Sequence, residues 1–224
     1  GRFYALDGSL GAPLQVDVSK THVILIAGKR GYGKSYTMGV FFEEFSRLPQ
    51  SIRDQYSCIV IDTLGIYWTL AYPNTKQKHD LANWNQIPES TPITLMHTAK
   101  HTPKYYQSQP NQSQLQISPN NLTSAQWCQL FQLPSLQKEG MLLTRAILEL
   151  QDKTSSFSIE DIKKTIHTIP EYDTNTVHAV ENLLIQSASW NLFSKNAPSL
   201  SHIIQPGNIT IIDLSFLKST HLKQ

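Results

Sequence analysis

Charge is scarce in this sequence. Its 19 Lys and Arg and 17 Asp and Glu make up 16% of 224 residues, against roughly a quarter in an average globular protein. The net charge of +2 neither demands nor excludes nucleic acid, because such binding needs a local basic patch and not a basic total. Cysteine is scarcer still. Cys58 and Cys128 stand far apart without CxxC spacing, which excludes zinc knuckles and disulfide scaffolds. A reducing, cytoplasmic setting is expected, with both thiols as small core residues. Long apolar runs are absent too: the longest, such as residues 23–27, are about five residues, where a membrane helix needs roughly 20. No secretory leader pattern is visible, so no membrane partner is expected. The eight histidines form no HExxH and no Ser-His-Asp order. What is plentiful is apolar residue, 40% of the chain, enough for a substantial core. The chain opens on Gly1 and not Met, and it is expected to be a piece of something longer.

Residues 23–26 (Val-Ile-Leu-Ile) are β-branched at three of four positions and read as a strand buried on both faces. A glycine-rich loop follows. Beyond it, Met38, Phe41, Phe45 and Leu48 recur at helical spacing, with Pro49 as the stop. Residues 58–61 then read as a second buried strand closing on Asp62. Strand, helix and strand in this order predict a βαβ unit and a parallel sheet. A third strand is expected at residues 93–96. From Tyr105 to Gln137 no residue is charged, and the first half of this stretch reads as an irregular polar connection with one short strand near residues 115–117. Four helices are expected next. The first starts at a Thr123/Gln126 capping box with Trp127, Leu130 and Phe131 on its face. The second is lined by Leu136, Leu143, Ile147 and Leu150. The third starts at Ser158, and the fourth carries Val177, Val180 and Leu184. Pro206-Gly207 punctuates the chain before a return strand, Ile209–Asp213.

The loop matches G-x-x-x-x-G-K-[ST] at Gly28, Gly33, Lys34 and Ser35. Glycines allow successive backbone N–H groups to converge on one point, a nest for phosphate oxygens. The helix starting near Lys34 adds its positive end. Lys34 would reach the β- and γ-phosphates, and the Ser35 hydroxyl would ligate Mg²⁺. Gly28, Arg30, Gly31, Tyr32, Gly33, Lys34, Ser35 and Tyr36 are therefore the candidate nucleotide-binding residues, with ATP and Mg²⁺ as the expected ligands. Asp62 is a second candidate, as a carboxylate at the end of a strand where open α/β sheets bind ligands. Holding Mg²⁺ through a water, orienting the attacking water and merely capping the turn into Thr63-Leu64-Gly65 all remain open for it. Asp213 likewise ends an apolar strand, with a turn role beside Ser215 favoured over metal binding. Neither Asp is followed by Glu, so no obvious base for water is present. Arg53 and Arg145 are candidates for an arginine acting in trans, with surface pairing the better-supported role.

The segment 22–27, the loop, the helix start Tyr36-Thr-Met-Gly39, the segment Ile59-Val-Ile-Asp-Thr-Leu-Gly-Ile-Tyr67 and the return segment 205–215 together resemble the HerA-type ATPases of the HerA/FtsK group. The likeness covers nearly the whole chain. It implies an α/β, RecA-like P-loop NTPase core with a parallel sheet and an inserted helical bundle. In those terms residues 1–21 would be a lead-in, 22–102 the first part of the core, 103–197 the helical insertion and 198–224 the return to the core. The resemblance also implies a homo-hexameric ring that threads double-stranded DNA and works with a nuclease partner in end processing. Two departures stand out. The family's second strand often ends in Asp-Pro-His-Gly-Glu-Tyr, whereas residues 62–67 read Asp-Thr-Leu-Gly-Ile-Tyr. The family's Asp-Glu pair on a later strand would fall beyond Gln224, so this segment alone is expected to bind nucleotide but to hydrolyse it poorly. Three other readings compete with the motor. Residues 62–65 fit the DxxG of a GTPase switch, although no NKxD motif follows. A small-molecule kinase lacks its Arg-rich lid segment. A nucleotide-bound interaction module without turnover is consistent with the absent base.

Overall fold

The computed structural model describes residues 2–4, 7, 9–13, 15–17, 19–99, 103–108 and 111–217. Two units make up the chain, with their boundary between Met38 and Gly39. In the first, β1 (Arg2–Tyr4) and β2 (Leu10–Pro13) pair antiparallel, and α1 (Lys34–Ser46) begins. The buried strand expected over residues 23–26 does not form. Val23 is 97% and Leu25 88% exposed, and within the first unit this stretch pairs with neither β1 nor β2. An apolar β-branched run favours a pleated conformation only when a neighbouring strand takes its N–H and C=O groups.

The second unit contains the rest of α1, then α2 (Gln50–Arg53), β3 (Cys58–Asp62), α3 (Lys78–Asn83), β4 (Thr94–His97) and β5 (Gln112–Gln114). Four helices follow, α4 (Ser124–Leu130), α5 (Lys138–Lys153), α6 (Ile159–Thr168) and α7 (Thr174–Ala188), and then β6 (Ile209–Asp213). The expected parallel sheet is present, in the order β3-β6-β4-β5 with every pairing parallel. β6 lies between two strands and is buried at all five positions, which explains why three of its five residues are isoleucine. β3 carries a similar run but sits at an end of this sheet, with Ile59 43% and Ile61 58% exposed; periodicity alone does not separate an edge strand from a central one. Side chains alternate between the two faces. Val60, Leu95 and Ile211 pack on one side with Tyr67, Tyr106 and Phe42. Met96 and Ile212 pack on the other with Leu115 and Leu192.

The expected stripe on α1 holds in its second half: Phe45 packs on the sheet cluster beside Phe42 and Leu48 is part-buried, while Met38 and Phe41 are exposed. The helix ends at Ser46, three residues before the expected stop at Pro49, which also caps the start of α2. Cys58 is half-buried, and burial pushes its thiol up to about 11, so it is not reactive near neutrality. The short strand expected near residues 115–117 lies slightly earlier, as β5, and Ile117 makes an isolated bridge to Phe193.

The four helices share their own core, in which Trp127, Leu142, Leu143, Ile147, Ile162 and Leu184 are fully buried. Trp127 is the largest of these, and its indole N–H donates to the Pro119 carbonyl at 3.2 Å, so its one polar atom carries no burial penalty. Leu136, expected on α5, precedes that helix and is 91% exposed. Helix starts follow the sequence closely. Thr123 with Gln126 and Ser158 with Asp161 each form a reciprocal capping box, which satisfies two otherwise orphaned donors at each end.

α7 is capped by Asp173. The Thr176 N–H, with the Lys138 ammonium and the Thr176 hydroxyl, holds the Asp173 carboxyl down at about 2, below an ordinary 3.8. A carboxyl depressed in the folded state adds stability that is present above about pH 4 and is lost as pH falls towards about 2. Asp173→Asn keeps the cap acceptor without the charge. The wild-type advantage in melting temperature over this variant should therefore shrink between about pH 5 and about pH 2. A difference that stays constant over that window would refute the charged cap.

Candidate functional site: a phosphate-binding loop at a helix start

The loop ahead of α1 is shaped by two glycines. Gly31 and Gly33 take φ of +84° and +75°, a region that side-chain-bearing residues rarely enter. No atom lies within 4 Å of where a Cβ would stand at either residue, so both face open space. Between them, the Tyr32 N–H turns back onto the Lys29 carbonyl at 3.3 Å. The helical ladder starts with the Thr37 N–H donating to the Gly33 carbonyl at 2.8 Å, and the Thr37 hydroxyl donates to the same oxygen at 3.1 Å. Backbone N–H groups that precede this first rung point out of the helix end, where its positive dipole also lies.

Lys34 closes the loop on itself. Its ammonium donates to the Gly28 and Lys29 carbonyls, each at 2.8 Å. Both are neutral acceptors in an exposed segment. A phosphate oxygen forms a stronger, charge-assisted bond with an ammonium than a carbonyl does, so this contact holds the side chain over the loop without competing with an incoming anion. Arg30, Tyr32 and Ser35 complete the turn, with Tyr32 78% exposed, and Tyr36 follows in the first helical turn at 69% exposure. The structure thus brings Gly28, Arg30, Gly31, Tyr32, Gly33, Lys34, Ser35 and Tyr36 together at one helix start. An open cradle, two left-handed glycines and a cation already in position are what an oligophosphate needs. The Ser35 hydroxyl is a hard oxygen suited to Mg²⁺. No cluster of three or more His, Cys, Asp or Glu side chains able to hold a metal occurs among the described residues. Mg²⁺ fits such a site because it takes most of its ligands from phosphate and water.

Asp62 belongs to the second unit and has a different character. Its carboxylate is 2% exposed and accepts four backbone N–H groups: Leu64 at 3.1 Å and Gly65 at 2.8 Å on Oδ1, Ile66 at 2.7 Å and Tyr67 at 2.8 Å on Oδ2. Four donors use up the lone-pair sites of a carboxylate. The geometry accordingly makes Asp62 the anchor of the turn into the short helix Tyr67–Ala71. It also makes the fit to DxxG a self-contained turn, since the Gly65 N–H is spent on Asp62.

Asp213 sits opposite Asp62 in the parallel register and is fully buried. Its Oδ1 accepts the Ser215 N–H at 2.7 Å and its Oδ2 accepts the Tyr106 hydroxyl. The turn role beside Ser215 is the one its geometry supports. On the next strand, His97 pairs in register with Asp213. It is 2% exposed, its Nε2 meets the Gln112 side-chain oxygen at 3.2 Å, and its Nδ1 has no hydrogen-bond partner among the described residues. Sequence reasoning overlooked both His97 and Tyr106. His97 had a signal, since it directly follows the strand expected at residues 93–96 and shares parity with buried Leu95; Tyr106, 107 residues from Asp213, had none. Arg53 donates to the Ser46 carbonyl at 2.7 Å and to the Gln50 side chain, tying α2 to the end of α1. Arg145 pairs with Glu171 and lies 5.9 Å from the centre of the Tyr172 ring. Both arginines therefore have structural partners.

The family described as helicase HerA, central domain, matches residues 4–224. The chain belongs to that family. A comparison with curated proteins gives no match. Membership in the HerA family makes the chain a P-loop ATPase of the HerA/FtsK type, which agrees with the parallel α/β sheet and with a nucleotide-using loop. No helix among the described residues of this HerA-family domain is long and apolar enough to cross a membrane.

Proposed function

We propose that this domain is the ATP-binding core of a HerA-type motor, which hydrolyses ATP to move double-stranded DNA through a homo-hexameric ring and acts with a nuclease in DNA end processing. The loop of residues 28–36 carries the reading. In it, the amides around Gly31 and Gly33 and at the start of α1 hold the phosphates, and Lys34 leaves its two carbonyls for the β- and γ-phosphates. Ser35 would hold Mg²⁺, which neutralises charge on the terminal phosphates when bound. Water attacks the γ-phosphorus, the bond to the β–γ bridging oxygen breaks, and ADP and phosphate leave. Adenine is proposed over guanine, since no NKxD motif is present.

The carboxylates of Asp62 and Asp213 are both engaged in turns, which supports a second reading in which nucleotide is bound without turnover by this domain. One experiment separates the two. ATP hydrolysis by the protein that carries this domain should rise severalfold when duplex DNA is added. Turnover that ignores duplex DNA would sink the motor, and binding with no turnover under either condition would select the interaction module.

A further inference from the structure

We propose that Tyr36 is the residue that receives the base of the nucleotide, an inference that rests on the phosphate-loop reading above. The direction of the bound chain follows from Lys34. Its ammonium lies against Gly28 and Lys29, at 2.8 Å from each carbonyl, so the terminal phosphates that it serves belong at the opening of the loop. A Cβ at Gly28 would stand 3.8 Å from the Tyr32 Cβ, which places Tyr32 at that same end. The nucleoside then leaves on the opposite side, over the first turn of α1. Tyr36 belongs to that turn, one residue beyond Ser35, and is 69% exposed.

A flat ring left in water beside a phosphate cradle is a stacking platform. Every nucleobase offers a π-face, so stacking on Tyr36 strengthens binding without choosing among bases. Tyr36 is thus an affinity residue for the nucleoside half of the ligand, and any adenine preference arises elsewhere.

The test compares ATP, GTP and inorganic tripolyphosphate binding to wild type, Tyr36→Ala and Tyr36→Phe by calorimetry. The Ala variant should lose about tenfold in affinity for ATP and for GTP alike. It should bind tripolyphosphate, which has no base to stack, as wild type does. The Phe variant keeps the ring and should retain nucleotide affinity. ATP affinity unchanged in Tyr36→Ala would overturn the inference, as would an equal loss for ATP and tripolyphosphate. Wild type that binds no tripolyphosphate would instead remove the phosphate-loop reading and the role of Tyr36 with it.

Discussion

Lys34→Ala should abolish ATP binding at concentrations that saturate wild type, while the melting temperature stays within a few degrees of it. The two halves of this expectation come from the same pair of contacts. In the folded chain the Lys34 ammonium rests on two exposed carbonyls, which water satisfies equally well once the side chain is gone, so little stability is lost. In the bound state it replaces those carbonyls with phosphate oxygens. Hydrogen bonds to charged groups contribute about 1.5–3 kcal/mol each, and two of them amount to a factor of roughly a hundred or more in affinity. Calorimetric titration of ATP–Mg²⁺ into both proteins measures the effect. Unchanged affinity in the variant, with the fold intact by circular dichroism, would remove the loop as the binding site. Gly33→Ala offers an independent route to the same loss, because its φ of +75° would be strained by a Cβ even though the space above it is open.

How much of this was readable in the sequence depended on whether the signal was local. Helix starts were legible because a cap is written within four residues: Thr123 with Gln126 and Ser158 with Asp161 were recognisable from side-chain chemistry alone. The loop was legible for the same reason, since glycines and a lysine at fixed spacing dictate their own geometry. Burial was not. The run at residues 23–26, the run at 58–61 and the run at 209–212 look alike in composition, yet one is exposed, one is half-covered at a sheet edge, and one is central and closed on both sides. Strand order decides among these outcomes, and strand order is a long-range property. The stripe on α1 was legible only in part: Phe45 packs as expected, but Phe41 and Phe42 differ by one step around the helix, and only the position of the sheet determines that Phe42 packs against Tyr67, at 5.1 Å between ring centres. The Tyr106–Asp213 contact was out of reach altogether, because nothing in an uncharged polar stretch singles out one tyrosine as the partner of a distant strand end.

Asp62 is where the local and long-range accounts part, and a single substitution distinguishes them. If Asp62 served the reaction, Asp62→Asn would leave a stable fold with lost turnover. The four N–H groups that converge on its carboxylate predict the reverse order of effects. Removing the acceptor in Asp62→Ala strands several donors around a residue that is 2% exposed, and each buried donor left unpaired costs about 1–3 kcal/mol. Several together are a large share of the roughly 5–15 kcal/mol that holds a domain together. Asn is no remedy. It keeps one carbonyl oxygen for the Gly65 side or the Tyr67 side of the turn, and presents its NH₂ to N–H donors on the other, so Asp62→Asn should lose nearly as much as Ala. Urea denaturation measures both losses, and nucleotide titration at a temperature where the variant is folded measures the rest. The expected pattern is a transition midpoint well below that of wild type, with ATP affinity preserved in the fraction that remains folded. A variant as stable as wild type but unable to bind or hydrolyse ATP would return Asp62 to the chemistry and leave the turn to be held by its backbone alone.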